Sequence, residues 1–272
     1  MIVFEPGYTL PDGDAPLSHA RIAHAETWVS GVASASSTAA GGHYGVDAPS
    51  NSTTYDRWRP NAVGWSWWSI VLDAPAQVDY CFIAAHDLGS TATRVLVQAF
   101  QDGAWVTIGS AEPTTDAPLF FIFEPRTVDT LRITFGAFFD VPEIGVIRFG
   151  RALQMPERAT YGGHKPLDMS RATTLRGARS VRGAWLSTSM IRGALSGSFS
   201  WRDLPTAFAR GELRTFLRAT EGEAFAIAWR PDKHPEDVAY CWTPGGSPPI
   251  PVDQGVGDLM SLDLTVEAFS YE

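Results

Sequence analysis

The sequence is short of lysine, of cysteine and of long apolar runs. Only two of its 21 basic residues are lysine, Lys165 and Lys233, and the rest are arginine. A GC-rich genome favours arginine codons, so that ratio carries no chemistry. The two cysteines, Cys81 and Cys241, each sit inside an apolar run, YCFIAA and AYCW. Two buried free thiols are therefore expected, as suits a reducing compartment. Without a pair of histidines at ligand spacing they exclude a zinc site. No stretch approaches the ~18 apolar residues of a membrane helix, so no membrane insertion is expected. The opening MIVFEPGYTLPDGDAP has neither the basic nor the apolar segment of a secretory leader, so no signal peptide is expected.

Catalytic signatures are missing as well. There is no GxSxG, no HExxH, no Walker loop and no EF-hand loop, and GGHK at 162–165 lacks the remaining spacing of a phosphate loop. The six histidines are scattered, and no carboxylate cluster calls for calcium. The expectation is a protein that is not an enzyme, with no cofactor and no metal. Asn51-Ser52-Thr53 is a glycosylation sequon only in a protein secreted by a eukaryote, which nothing here indicates.

What is present reads as folded and mostly β. Of 272 residues, 44% are hydrophobic and 19% charged, the balance of a globular chain. The 25 glycines and 19 prolines suit many short strands joined by tight turns. Strands are predicted at Trp68–Leu72, Val78–Ala84, Thr93–Phe100, Trp105–Ile108, Leu119–Phe123, Thr130–Phe135 and Ile144–Phe149, separated by DAPA, HDLGS, QDG, EPRT and FDVPE. RVLVQAF and LRITF alternate, which gives each one dry face. This is the pattern of a β-sandwich or jelly roll over residues 1–153.

After Gly150 the character changes. RALQMPERATYGGHKPLD is aperiodic and reads as a linker. The RGA triplets that follow are spaced too irregularly for a solenoid and mark a long hairpin. One helix is predicted next, with Asp203 as its cap, Pro205 near its first turn, and Phe208, Leu213, Phe216 and Leu217 at helical spacing; Gly211 weakens it. Strands resume at AFAIAW and DVAYCW and close with MSLDLTVEAF, where Met260, Leu262, Leu264, Val266 and Ala268 share one side. Residues 154–272 are thus a second, β-rich domain with one helix.

Charge divides the chain too. Residues 1–147 carry a net −10, residues 148–192 a net +7 and residues 193–272 a net −6. Acidic flanks repel nucleic acid, and no nucleic-acid motif is present, so no nucleic-acid partner is expected. Arg171, Arg176, Arg179, Arg182 and Arg192 are either the solvated edge of the hairpin or the contact to acidic surface on a neighbouring copy or another protein. The forked guanidinium suits such an interface.

Four tryptophans, Trp58, Trp65, Trp67 and Trp68, fall within eleven positions. Strand parity puts Trp68 with Ile70 and Leu72 in the core, while Trp67 covers a sheet edge or meets a neighbour. Trp58 and Trp65 precede the strand beside Tyr55, Asp56, Arg57, Arg59 and Asn61. Three readings are open for these two: a mini-core of the loop, subunit packing, or a platform on which a sugar ring stacks. In the third, Asp56, Arg57, Arg59 or His86 bonds the hydroxyls.

ARIAHAETW, DRWRPNAVGWSWWSIVLDAPAQVDYCFIAAHDLGS, RVLVQAFQDGAWVTIGS and LRITFGAFFDVPEIGVIRFGRAL occur in an order that resembles a discoidin-like, galactose-binding-type jelly roll over residues 18–153. That resemblance implies a module with binding loops at one end of the sandwich, used by many members for sugars or membrane surfaces. FAIAWRPDKHPEDVAYCW, GGSPP and LMSLDLTVEAFSYE resemble the C-terminal region of tail-tip proteins of long-tailed bacteriophages, of the distal-tail or minor-tail type. This implies a homo-oligomer, a ring or trimer, that meets other phage tail proteins. It would be made in the host cytoplasm, be assembled into the virion and touch host-surface glycan. Distal-tail proteins often carry the ring-forming domain first, the reverse of the order here. A stand-alone carbohydrate-binding lectin and an accessory module of a glycan-degrading enzyme are the alternatives.

Overall fold

A computed structural model describes residues 1–137, 140–160, 167–255 and 257–271, with the side chains of Thr93, Asp168, Ala172, Ile191 and Arg192 left out. The GGHK segment lies outside the described residues. The chain is mostly β. Its strands are β1 (Ile2–Phe4), β2 (Arg21–Ala23), β3 (Gly31–Ala35), β4 (Gly64–His86), β5 (Ala92–Gln101), β6 (Ala104–Ala111), β7 (Leu119–Ala137), β8 (Ile144–Gly150), β9 (Leu153–Gln154), β10 (Arg171–Arg179), β11 (Trp185–Pro205), β12 (Phe225–Arg230), β13 (His234–Trp242), β14 (Val252–Asp253) and β15 (Leu259–Ala268). A one-turn helix, α1 (Leu88–Thr91), follows β4.

The sandwich is built on two long strands. The sequence predicts breaks at DAPA and EPRT, but β4 and β7 run through them and stay paired from Gly64↔Ala137 to Ile83↔Leu119. The turn signals appear instead as a register shift between Val71 and Ala76, where the ribbon changes layer. Its first half lies among β3, β5 and β6; its second half lies between β8 and β1. Inward side chains of both halves share one core: Trp68, Ile70, Cys81, Ile83, Phe121, Ile133 and Phe135 among them. A second register shift at Val78/Tyr80 sets the alternation beyond it, so Tyr80, Phe82 and Ala84 point the other way.

That other face is not wet. Tyr80, Phe82, Phe120, Ile122 and Val146 pack against Ala226, Ala228, Val238 and Tyr240 of the second sheet. The second sheet, in order β10-β11-β15-β13-β12-β2-β9, covers a further core on its far side, with Phe199, Trp201, Phe225, Ile227, Leu262, Leu264 and Val266. VDYCFIAA, IGVIRF and FAIAW therefore read as continuous apolar runs because each is buried on both faces. Arg21–Ala23 belongs to the ARIAHAETW stretch that resembles the jelly roll. The structure hydrogen-bonds it into the second sheet, between β12 and β9.

The helix forms as expected but starts differently. β11 continues to Pro205, and Asp203 does not cap: it has φ +59 at an irregularity of β11. Thr206 instead donates its N–H to the Asp258 carbonyl at 3.1 Å. α2 (Thr206–Phe208) passes through a π-turn at Ala209–Leu213, which holds Gly211, into α3 (Arg214–Ala219). Leu213, Phe216 and Leu217 are buried and Phe208 is partly so, the predicted face. On β15, Leu262, Leu264, Val266 and Ala268 are buried, with Met260 packed against them. Both cysteines are free, buried thiols, and burial pushes each well above its ordinary pKa.

Candidate functional site

The segment between β3 and β4, residues 36–63, crosses one end of the sandwich. Two indoles fix it from below. Trp58 is fully buried, packs edge-on against Phe135 at 5.6 Å and donates its Nε1–H to the Ser37 carbonyl at 3.0 Å. Trp68 donates to the Val46 carbonyl at 2.8 Å. The Trp58 backbone exchanges two hydrogen bonds with Ile144 at the start of β8. A fully buried tryptophan removes ~150–250 Å² from water, at about 25 cal/mol per Å², so this anchor contributes several kcal/mol. It offers no surface to a ligand, which corrects its place among the candidate sugar-binding residues.

Because Trp58 points in, its neighbours point out. Arg57 and Arg59 each reach Glu143, both at 3.6 Å. The Tyr44 hydroxyl donates to Glu143 at 3.1 Å, and the Arg59 guanidinium lies over the Tyr44 ring at 5.6 Å. Glu143 is itself held by its N–H, which donates to Asp87 Oδ1 at 2.7 Å. Burial, with the Glu143 charge adding to it, holds the Asp87 carboxyl above the usual range. Beside this knot, Asp56 lies 4.0 Å from His43, and the His43 ring meets Tyr55 edge-on at 5.4 Å. Tyr55 is 74% exposed.

Tyr55, Asp56, Arg57 and Arg59 are thus brought together. Trp65 and His86 are not part of the group. β4 begins at Gly64, so Trp65 stands on the outer face of the sheet, opposite Gly136 and 58% exposed. Trp67 lies on the same face, paired with Thr134 in the interior of the sheet, not at an edge. Behind them a polar row crosses the sheet: Ser34 to Ser69 at 2.8 Å, then Arg132 to Gln98 at 2.7 Å and Gln98 to Thr107 at 3.1 Å. His86 is buried, and its Nδ1 accepts from the Leu88 N–H at 3.2 Å. Burial pulls its pKa down to about 4, so it stays neutral and inside.

His43, Tyr44 and Glu143 escape the sequence reading. A glycine-rich loop, STAAGGHYG, and a turn preceding β8 give no pattern that assigns them chemistry. Their only signal is nearness to the Arg57–Arg59 pair, and that is a fact of the fold.

The arginines of the second half sit on a different feature. β10 and β11 form the long hairpin foreseen from the RGA triplets, with Arg176 opposite Ser189 and Leu175 opposite Met190. Residues 173–179 and 181–190 are exposed throughout. One face carries Leu175, Met190 and the Trp185 ring, which lies over Gly177: a Cβ there would come within 3.1 Å of it. The other carries Arg176, Ser187 and Ser189. Arg179 pairs across from Trp185, Arg182 is in the turn, and Arg171 at the base donates to Ser270 at 2.6 Å. The side chain of Arg192 lies outside the described residues.

No family model matches the chain, and no curated protein matches it. Among solved structures it is similar to chitosan-binding module 1 of a chitosanase/glucanase from Paenibacillus sp. IK-5, at 18% identity over 44% of this chain and 95% of that one, with a TM-score of 0.38. A pectin-binding carbohydrate-binding module is similar at 18% identity over 45% of this chain and 91% of that one, TM-score 0.38. A Ruminococcus gnavus GH29 fucosidase in complex with fucose is similar at 16% identity and TM-score 0.40; the match covers 47% of this chain and 26% of the fucosidase.

Proposed function

We propose that the chain is a non-catalytic glycan-binding protein whose sandwich presents Tyr55, Arg57, Arg59 and Glu143 to a sugar. The observation that carries this is the pairing of an exposed aromatic ring with a donor–acceptor knot on a floor fixed by Trp58. A sugar needs a flat apolar plate for its C–H face and paired donors and acceptors for adjacent hydroxyls. Part-exposed ion pairs contribute only about 0–1 kcal/mol, so hydroxyls can enter between Arg57 and Glu143 at little cost. A glycan array on the intact chain, followed by calorimetry, tests it. Tyr55→Ala and Arg57→Ala should each weaken binding at least about tenfold, which is 1.4 kcal/mol, without moving the unfolding midpoint. Absence of any glycan ligand, or binding indifferent to both changes, overturns the reading.

A second reading takes the chain as an oligomeric subunit of the bacteriophage tail-tip kind that its second half resembles; the hairpin arm supports the oligomeric part of it. A two-stranded ribbon with both faces in water is marginal alone. An apolar stripe of Leu175, Trp185 and Met190 backed by Arg176 suits contact with an acidic surface such as the net-negative remainder of a second copy. Many copies would turn one weak sugar site into useful avidity. Light scattering should give a multimer for the native chain, and Arg176→Glu with Arg182→Glu should lower the mass without unfolding it. A native monomer at all concentrations contradicts this reading and leaves the first intact.

A further inference from the structure

The outward face of the first sheet is open: Val32, Trp65, Val71 and Phe100 are all exposed on it. Strand register sets its side chains in rows across β4, β7, β5 and β6. Phe100 and Trp105 share the first row, and Arg132 and Gln98 the second. Trp67 stands in the third, and Trp65 and Arg94 flank Gly136 in the fourth. Aromatic plates and guanidinium groups thus alternate along the strands. Two residues of a strand separate neighbouring rows, roughly 7 Å, so the first and fourth lie roughly 20 Å apart. That is the reach of a short chain of sugars, not of a single ring.

Arg132 is held in place yet left unpaired. Its guanidinium stacks on the Trp105 ring at 4.0 Å, and its Nε donates to Gln98 Oε1 at 2.7 Å. Gln98 is fixed in turn: its Oε1 also accepts from the Thr134 hydroxyl at 3.1 Å, and its Nε2 donates to the Thr107 hydroxyl at 3.1 Å. Arg132 Nη1 and Nη2 have no hydrogen-bond partner among the described residues and are not sealed from water. Arg94 donates its Nε–H to the Ser110 hydroxyl at 3.2 Å, and neither arginine makes an ion pair among the described residues. Residues 31–35, 64–71, 94–101, 104–111 and 130–137, which build this half of the sheet, contain no carboxylate, in a chain of net charge −9. Desolvation lowers the Arg132 pKa, and no acidic group among the described residues offsets it. An exposed arginine loses rotamer freedom when it binds; the stack and the Gln98 bond have already fixed this one, so an anion that meets it orders little.

The arrangement also says what kind of partner fits. A protein interface collects its aromatics at the centre and its polar groups at the rim. Here a hydrogen-bonded polar row runs between the aromatic ones, which suits rings with apolar C–H faces and charged groups in alternation. The two free Nη groups match a carboxylate as a fork.

We infer that this face binds an acidic oligosaccharide, with sugar rings on Phe100 and Trp67 and a uronate carboxylate on Arg132. The site is separate from the Tyr55 loop end and does not rest on it. The test is calorimetry on the full chain with tetramers of galacturonate and of mannuronate, their methyl esters, and the monomeric acids. An acidic tetramer should bind. Its ester, with the same rings and no charge, and its monomer should each bind at least about tenfold more weakly. Arg132→Met should remove the preference for the acid, and Arg132→Lys, which keeps the charge and loses the fork, should weaken it severalfold. Trp67→Ala should weaken acid and ester alike, and Tyr55→Ala should leave both unchanged, with the unfolding midpoint unmoved in each. Equal binding of acid and ester, preference for the acid that survives Arg132→Met, loss of binding in Tyr55→Ala, or no binding of either acidic tetramer overturns the inference. Sedimentation adds one more check: a native multimer that Trp67→Ala dissociates makes the face an interface between copies, and the inference fails. If Arg132→Met does not fold, Arg132→Lys decides by the same comparison: an undiminished preference for the acid overturns the inference.

Discussion

At the scale of single residues, three buried ionisable groups set how the protein responds to acid. Burial holds His24 and His86 down to about 4 and pushes Asp79 up to about 6, although the Ala152 N–H and the Arg151 charge oppose the last shift. The signs differ. For the histidines the unfolded chain binds more protons between pH 6.5 and 4, so their contribution is lost as pH falls through that window. For Asp79 the folded chain binds more protons between 3.8 and 6, so it favours the fold as pH falls. Asp87, also raised by burial, acts in the same sense as Asp79, but the two histidines outweigh them and predict a net loss of stability from pH 7 to pH 5. Asp79→Asn keeps an oxygen for the Ala152 N–H, bonded at 2.8 Å, and removes its opposing contribution. It should raise the urea midpoint at pH 7 and make the acid loss steeper. A shallower pH dependence in that variant would refute the assignment.

At the scale of elements, the hairpin arm is separable from the cores. Residues 173–190 contribute no side chain to any of the three apolar clusters, whereas β11 from Leu195 onward packs Phe199 and Trp201 against β15. Replacing 173–190 by a short turn should therefore leave circular dichroism of the remainder and its unfolding midpoint within the ±0.5 kcal/mol usual for surface changes. A large drop would mean that the arm is part of the fold. The hairpin was legible in the sequence because irregular RGA spacing excluded a repeat, and β15 because strict alternation marks one buried face. The merging of β4 and of β7 was not legible. DAPA and EPRT carry turn chemistry, but a long ribbon changing layer uses the same residues at its bend. The knot around Glu143 was half legible: Arg57 and Arg59 announce themselves, while His43, Tyr44 and Glu143 arrive from distant turns. Trp58 was open to three readings, and the fold selects the mini-core of the loop; aromatic crowding has the same appearance whether it faces a ligand or Phe135.

At the scale of the molecule, the apolar layer between the sandwich and the second sheet couples their stability. Tyr80, Phe82 and Phe120 on one side and Ala228, Val238 and Tyr240 on the other are buried only while both are folded, and Tyr240 also donates to the Ser52 carbonyl at 2.8 Å. We expect one unfolding transition, seen alike by tryptophan fluorescence and by calorimetry. Phe82→Ala should lower that single midpoint, with a loss of about 3–5 kcal/mol of unfolding free energy, as is typical of a buried phenylalanine lost. Two well-separated transitions in the native chain would show that the layer is dispensable.

The strand Arg21–Ala23 also orders events during synthesis. Its hydrogen-bonding partners Ala226–Ala228 are translated about two hundred residues after it. A nascent sandwich must therefore carry an unmatched edge and a bare Tyr80–Phe82 surface until those residues emerge, a period in which helper proteins have something to hold and aggregation has something to start from.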